Sequence, residues 1–220
     1  AQALLAAPTI NNISVPGIQI GTTVQITITG TDLTPAPKLV ASFPISAQKA
    51  VEGSDNSKAI IELTAANAQP GIHWIRIASD KGISNALSLG VDNLTQIPFT
   101  ETIDTLPVAL AGDLSGGNIL KTTFVGKASE PIVVDVEGRR IGSNIRPVLR
   151  LLNAEGVQIG FSAPQPELHG DARISATIPT DGTYTLEMHD ILYKGPGPGR
   201  FRLKIGALSF ADLAFPIGVQ

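Results

Sequence analysis

Between Asp181 and Gly206 apolar and polar residues alternate with a period of two on either side of a loop that no strand can cross. Tyr184, Leu186 and Met188 alternate with Thr185, Glu187 and His189. Beyond Gly195-Pro196-Gly197-Pro198-Gly199, Phe201, Leu203 and Ile205 alternate with Arg202 and Lys204. This spacing puts apolar groups on one face and polar groups on the other, as an antiparallel sheet over one core requires. Glycine and proline cannot continue a strand, so the five-residue run forms the connection.

The same pattern recurs along most of the chain. Val24, Ile26 and Ile28 alternate with Gln25, Thr27 and Thr29 before Gly30-Thr31-Asp32. Further strands are expected at 38–42, 58–63, 72–78 and 86–91, with turns at Ser54-Asp55-Asn56, Gln69-Pro70-Gly71 and Asp80-Lys81-Gly82. Thr64 to Gln69 is the one place where a helical turn is expected. Strands with turn signals about every ten residues indicate an immunoglobulin-like sandwich over residues 1–93. Residues 94–106 carry Pro98 and no sustained periodicity, and read as a linker. A second strand series follows over 107–206, at 119–125, 132–137, 148–153, 157–161, 173–178 and the pair described above. Asn153-Ala154-Glu155-Gly156 supplies a hairpin turn. The fold class is therefore all-β, with two β-sandwich domains, the second of jelly-roll type. Phe215-Pro216-Ile217-Gly218-Val219 echoes Val15-Pro16-Gly17-Ile18. Unless that short match is chance, 207–220 is a tail that begins a further repeat.

Composition narrows the function. The 220 residues carry a net charge of −3 with basic residues scattered, which argues against nucleic acid. No apolar run approaches the ~20 residues of a membrane span. With no cysteine, disulfides, thiolate metal sites and a cysteine nucleophile are excluded.

The second domain resembles the bacterial pre-peptidase C-terminal (PPC) family. The resemblance runs through Val136 to Ser143, Pro147 to Gly156 and Ile178 to Leu186, and closes with Asp190, Tyr193, Gly195 and Phe201-Arg202-Leu203. The first domain looks like an IPT/TIG-type immunoglobulin-like module, through Gly21-Thr22-Thr23-Val24, Ile28 to Leu33 and Pro70-Gly71. The pairing is similar to that of repetitive surface and secreted proteins of planctomycete-like bacteria. The resemblance implies an exported bacterial module, secreted or at the cell surface, without catalytic role. Its expected partners are extracellular protein, polysaccharide or copies of itself. The alternative is a structural building block: a spacer, or a surface-layer or filament subunit.

Some PPC-like domains bind calcium through acidic residues of the linker and adjoining strand. Here the resemblance points to Glu101, Asp104 and Asp113 as calcium ligands. Calcium takes six to eight oxygens, so three carboxylates leave the shell short. Ile103 also stands where the family offers Pro-Asn, and solvated linker carboxylates are the preferred reading. Glu167, His169 and Asp171 alternate and are a second metal-like set. Pro164, Pro166 and Gly170 around them read instead as a solvated loop. Arg139, Arg140, Arg146 and Arg150 form a candidate patch for acidic glycans, since guanidinium forks suit carboxylate and sulfate. Pairing with Glu137 or Glu155 is the structural alternative. Trp74 and Tyr193 are candidates for stacking on sugars, although Trp74 within Ile72-His73-Trp74-Ile75 reads as core. No catalytic residues are assigned. No serine sits in Gly-x-Ser-x-Gly, and His189 and Asp190, adjacent on a strand, point to opposite faces. Asp190 is expected to fix a turn or pair with an arginine.

Overall fold

The computed structural model describes residues 6–211, and the chain forms two compact units that divide between Gln96 and Ile97. The first unit contains β1 (Thr9–Ile13), β2 (Gly17–Gln19), β3 (Thr23–Thr31), β4 (Lys38–Ala41), β5 (Ile45–Ala50), β6 (Lys58–Ala65), β7 (Gly71–Ser79), β8 (Gly82–Ile83) and β9 (Leu87–Asp92). One sheet has the order β1-β3-β6-β5 and the other β2-β9-β7-β4, with β8 beside β7. β2 runs parallel to β9, and the other pairs are antiparallel. The order is the immunoglobulin arrangement, in which the first, second, fifth and fourth strands face the third, sixth and seventh. Alternation fills the space between the sheets. Ile26, Ile28, Ile61 and Leu63 from one sheet meet Ile75, Ile77, Leu89 and Val91 from the other, all fully buried. Each such side chain contributes about 1.5–3 kcal/mol.

Two amide side chains act as strand substitutes at the sheet edges. Gln48 accepts from the Leu39 N–H (2.8 Å) and donates to its carbonyl (3.1 Å) on edge strand β4. Asn85 makes the same pair of bonds to Ile10 on edge strand β1, at 2.8 and 2.9 Å.

β10 (Thr95–Pro98) straddles the division and pairs into the second unit, which contains β11 (Val108–Asp113), β12 (Ile119–Gly126), β13 (Pro131–Glu137), β14 (Pro147–Leu152), β15 (Gln158–Ser162), β16 (Arg173–Thr177), β17 (Gly182–Asp190) and β18 (Arg200–Gly206). Its sheets have the orders β10-β11-β18-β13-β16 and β12-β17-β14-β15. Setting β10 aside, eight strands in two four-stranded sheets, with first and last paired, make a jelly roll. Phe124, Leu149, Leu151, Tyr184, Phe201 and Leu203 lie in its core. The Gly-Pro loop is tied to the segment after β11. Leu114 N–H donates to the Gly199 carbonyl (2.9 Å), and a Cβ on Gly199 would lie 2.2 Å from the Leu114 oxygen. Only glycine permits that approach.

Two expectations are corrected. Thr64 to Gln69 forms no helical turn, because β6 extends to Ala65 against β3 and β5. Residues 94–106 are not a bare linker. β10 adds an edge to one sheet of the second unit, Phe99 packs edge-on to Phe201 (5.9 Å), and Ile103 is buried in the core. Ile103 N–H also donates to the Thr123 carbonyl, tying the same stretch to β12 of the other sheet. Spaced singly between polar residues, these apolar side chains leave no period to read. The tail echo from Phe215 onward lies outside the described residues.

Candidate binding faces

β7 reads Gly-Ile-His-Trp-Ile-Arg-Ile-Ala-Ser, and Ile75 and Ile77 take the core positions. The pleat therefore turns Ile72, Trp74, Arg76 and Ala78 outward. Trp74 is 42% exposed, contrary to the expectation that it is core. Ile72-His73-Trp74-Ile75 is apolar in both phases, so local sequence cannot choose the buried one. Across the sheet Val40 pairs with Arg76, Ser88 with Trp74, Gly90 with Ile72, and Ile83 with Ala78. Val40, Ile72, Trp74 and Ile83, the exposed large apolar residues among the described residues of the first unit, thus share one sheet face. The Arg76 guanidinium lies 5.6 Å from the indole centroid and is steered by a bond from Nη1 to the Ser84 carbonyl (3.1 Å). Beneath, His73 Nε2 donates to the Gln69 carbonyl (2.8 Å), Ser42 Oγ donates to His73 Nδ1 (3.0 Å), and Trp74 N–H donates to Ser42 Oγ (3.1 Å).

The second unit has a different open face, on the outer side of β12-β17-β14-β15. Lys121 pairs with Glu187, Glu187 with Arg150, and Arg150 with Phe161, a row across all four strands. Glu187 is nearly buried and binds Lys121 Nζ at 2.8 Å and Arg150 Nη1 at 3.1 Å, while Arg150 Nε donates to Gln158 (3.0 Å). Phe161 is 56% exposed. One step along β17, His189 is only 8% exposed although it points outward. The Tyr193 ring covers it, stacked at 4.3 Å and 5° from parallel, with Tyr193 Oη 3.4 Å from His189 Nε2. Tyr193 is itself 52% exposed.

Asp190 holds this loop. Its buried carboxylate accepts from the N–H groups of Arg146 (2.9 Å), Leu192 (3.0 Å) and Lys194 (3.3 Å), and its carbonyl accepts from Tyr193 N–H (2.8 Å). Burial pushes the Asp190 carboxyl up, but these backbone donors outweigh it and hold it below the usual carboxylate range. The turn-fixing role expected of Asp190 is the one observed.

The four arginines do not form one patch. Arg140 is drawn inward, with Nη2 2.7 Å from Asp135 and Nε 2.9 Å from Asp171. Arg150 belongs to the row described above, and Arg139 and Arg146 are exposed. The partners are Asp135, Asp171 and Glu187 in place of the expected Glu137 and Glu155. Asp171 is not part of a solvated loop. It is 0% exposed and accepts from the backbone N–H groups of Gly138 (3.0 Å), Arg139 (2.6 Å) and Arg140 (3.1 Å). Those donors lie more than thirty residues away, so no local pattern reveals them. Glu167 lies in the turn Pro166–Leu168, which ends at His169 in the left-handed region.

Next to this turn a buried ionic network crosses β13 and β18. Lys204 Nζ reaches Asp135 at 2.9 Å and Glu137 at 2.5 Å, Arg202 Nη1 reaches Glu137 at 3.0 Å, and Arg173 Nε reaches Asp135 at 3.2 Å. Burial raises the Asp135 carboxyl, but Lys204 and Arg140 overcome this and hold it low; burial lowers the Lys204 ammonium, but Glu137 and Asp135 hold it high.

Glu101, Asp104 and Asp113 are all exposed. Among the described residues no three His, Asp or Glu side chains are grouped to hold a metal ion, so the calcium ligands suggested by the resemblance are not brought together. A cleft of about 290 Å³ in the second unit, between Leu106, Phe124, Pro131 and Ile178, carries Glu130 as its one ionisable group. No helix among the described residues is long and apolar enough to cross a membrane.

No protein-family model matches the chain, and no curated protein does. Among solved structures it is similar to the pre-peptidase C-terminal domain of a collagenase from Bacillus anthracis, at 17% identity and a TM-score of 0.38, over 50% of this chain and 96% of that one. It is also similar to SGBP-B from a complex xyloglucan utilization locus in Bacteroides uniformis, at 15% identity and a TM-score of 0.31, over 92% of this chain and 74% of that one. A third is a mutant periplasmic inhibitor of g-type lysozyme from Escherichia coli, at 14% identity and a TM-score of 0.32, over 51% and 95%.

Proposed function

We propose that this chain is a non-catalytic, exported binding module that holds a partner protein against the open sheet face of its first unit. One observation carries the reading: Val40, Ile72, Trp74 and Ile83 lie together on one face, with Arg76 beside the indole. Apolar side chains of this size gathered outside a core mark interaction sites. Tryptophan and arginine are also the residues that dominate binding energy at protein interfaces. The building-block alternative relies on open sheet edges, and Gln48 and Asn85 occupy backbone groups on two of the four edge strands of the first unit.

The test is a binding screen of the whole chain against extracellular matrix proteins and against itself, read by Trp74 fluorescence, since Trp74 is the only tryptophan. At least one matrix protein is expected to protect the indole, and calorimetric titration with that protein should show binding weakened about tenfold or more in Trp74→Ala, about 1.4 kcal/mol or above. Protection by self-association alone would favour the building block. Equal binding by Trp74→Ala would end the proposal.

A further inference from the structure

We propose that the outer face of β12-β17-β14-β15 is a separate binding site for a polysaccharide carrying carboxylate groups, a uronic-acid polymer. In this site Tyr193 is the stacking surface, and Lys121 and Arg150 hold the anion. The inference is independent of the Trp74 face and uses none of its residues.

Tyr193 is presented as a platform. One ring face rests on His189, and the residue remains half-exposed. Its loop is held by the backbone bonds to Asp190, so a ligand need not order it on binding. A flat, fixed aromatic surface suits the apolar face of a sugar ring.

Charge selects the class of polysaccharide. Lys121 and Arg150 flank Glu187 and share its single negative charge. The row therefore has one positive charge in excess, which complements one carboxylate. A phosphate monoester, with nearly two charges, is less well matched. Arg150 donates from Nε to Gln158 and from Nη1 to Glu187, and its side chain is still 43% exposed. Guanidinium groups bind carboxylates with short, charge-assisted bonds.

The layout separates this face from the first. Its centre is an ion-pair row with aromatics at the margins, whereas protein interfaces exclude charge from their core. The row from Lys121 to Phe161 crosses three strand intervals, about 14 Å at the usual ~4.8 Å spacing. Its ends, Lys121 and Phe161, are exposed and Arg150 is half-exposed between them, a span that fits a chain-like ligand.

The test titrates the whole chain with polygalacturonate, with dextran as the neutral polymer and dextran sulfate as the sulfated one. Polygalacturonate is expected to bind, and dextran not to. Tyr193→Ala and Arg150→Gln should each raise its Kd about tenfold, the scale of one interface anchor. Trp74→Ala should leave that Kd unchanged. Denaturation midpoints equal to wild type in the two variants establish that they are folded. Preference for dextran sulfate, equal binding of dextran, or a Kd insensitive to Tyr193→Ala would each overturn the proposal.

Discussion

The side chain of Gln48 pairs with both backbone groups of Leu39, accepting from its N–H at 2.8 Å and donating to its carbonyl at 3.1 Å. A glutamine on β5 thereby supplies the partner that the next strand would supply to β4. An edge strand with free backbone groups is a template for pairing with another chain, and here its middle is closed. Gln48→Ala removes both bonds. It should lower stability by about 1–2 kcal/mol and increase concentration-dependent association, followed by denaturant melts and light scattering. Gln48→Glu can still accept but cannot donate, and should fall between. An unchanged melt and a strictly monomeric alanine variant would contradict this role.

The Asp135–Lys204 pair makes stability depend on pH at both ends. Asp135 ionises below its ordinary range when folded, so its contribution is present above the unfolded pKa of about 3.9 and disappears as pH falls through the folded value. Lys204 is held above its ordinary range, so its contribution is present below about 10.4 and disappears as pH rises through the folded value. Stability should therefore be level across the neutral range and fall on both sides. Asp135→Asn leaves Lys204, Arg140 and Arg173 short of a counter-charge and should cost about 3 kcal/mol. Urea unfolding between acid and alkaline pH measures both effects; a variant with the same acid limb as wild type would rule out Asp135 as its source.

Glycines 199 and 182 offer a paired test of packing. A Cβ on Gly199 would lie 2.2 Å from the Leu114 carbonyl oxygen, whereas one on Gly182 meets nothing within 4 Å. Gly199→Ala should destabilise by about 1–3 kcal/mol and Gly182→Ala by less than about 0.5 kcal/mol. Thermal melts of the two variants should separate by several degrees, and coincident melts would refute the close approach.

Tyr184 closes the turn before its own strand, donating from Oη to the Thr180 carbonyl at 2.6 Å while its ring packs on Phe124 at 5.9 Å. Tyr184→Phe keeps the ring and removes the bond, and should cost about 1 kcal/mol. Tyr184→Ala also opens a cavity and should cost about 3–5 kcal/mol, by analogy with phenylalanine.

Strand alternation carried most of the fold. Val24 to Ile28 and Tyr184 to Met188 show period two, and each is a strand with the expected face inward. The pattern fails where both phases are apolar, as at Trp74, and where core residues stand singly, as at Phe99 and Ile103. The candidate sites were less legible because their partners are distant in sequence. Asp171 binds residues 138–140, Glu187 joins Lys121 to Arg150, and the burial of His189 depends on Tyr193 folding back over it. Only Asp190 announced its role, because a carboxylate just before a loop has nearby N–H groups to accept from.

The account rests on Trp74 standing outside the core, on the face where a partner binds. Iodide quenching of the free chain tests this directly, because its fluorescence comes from one indole. A half-exposed indole should show red-shifted emission and be readily quenched by iodide, at a rate below that of a free tryptophan derivative. A blue-shifted emission that iodide cannot quench would place Trp74 inside the protein and contradict the account.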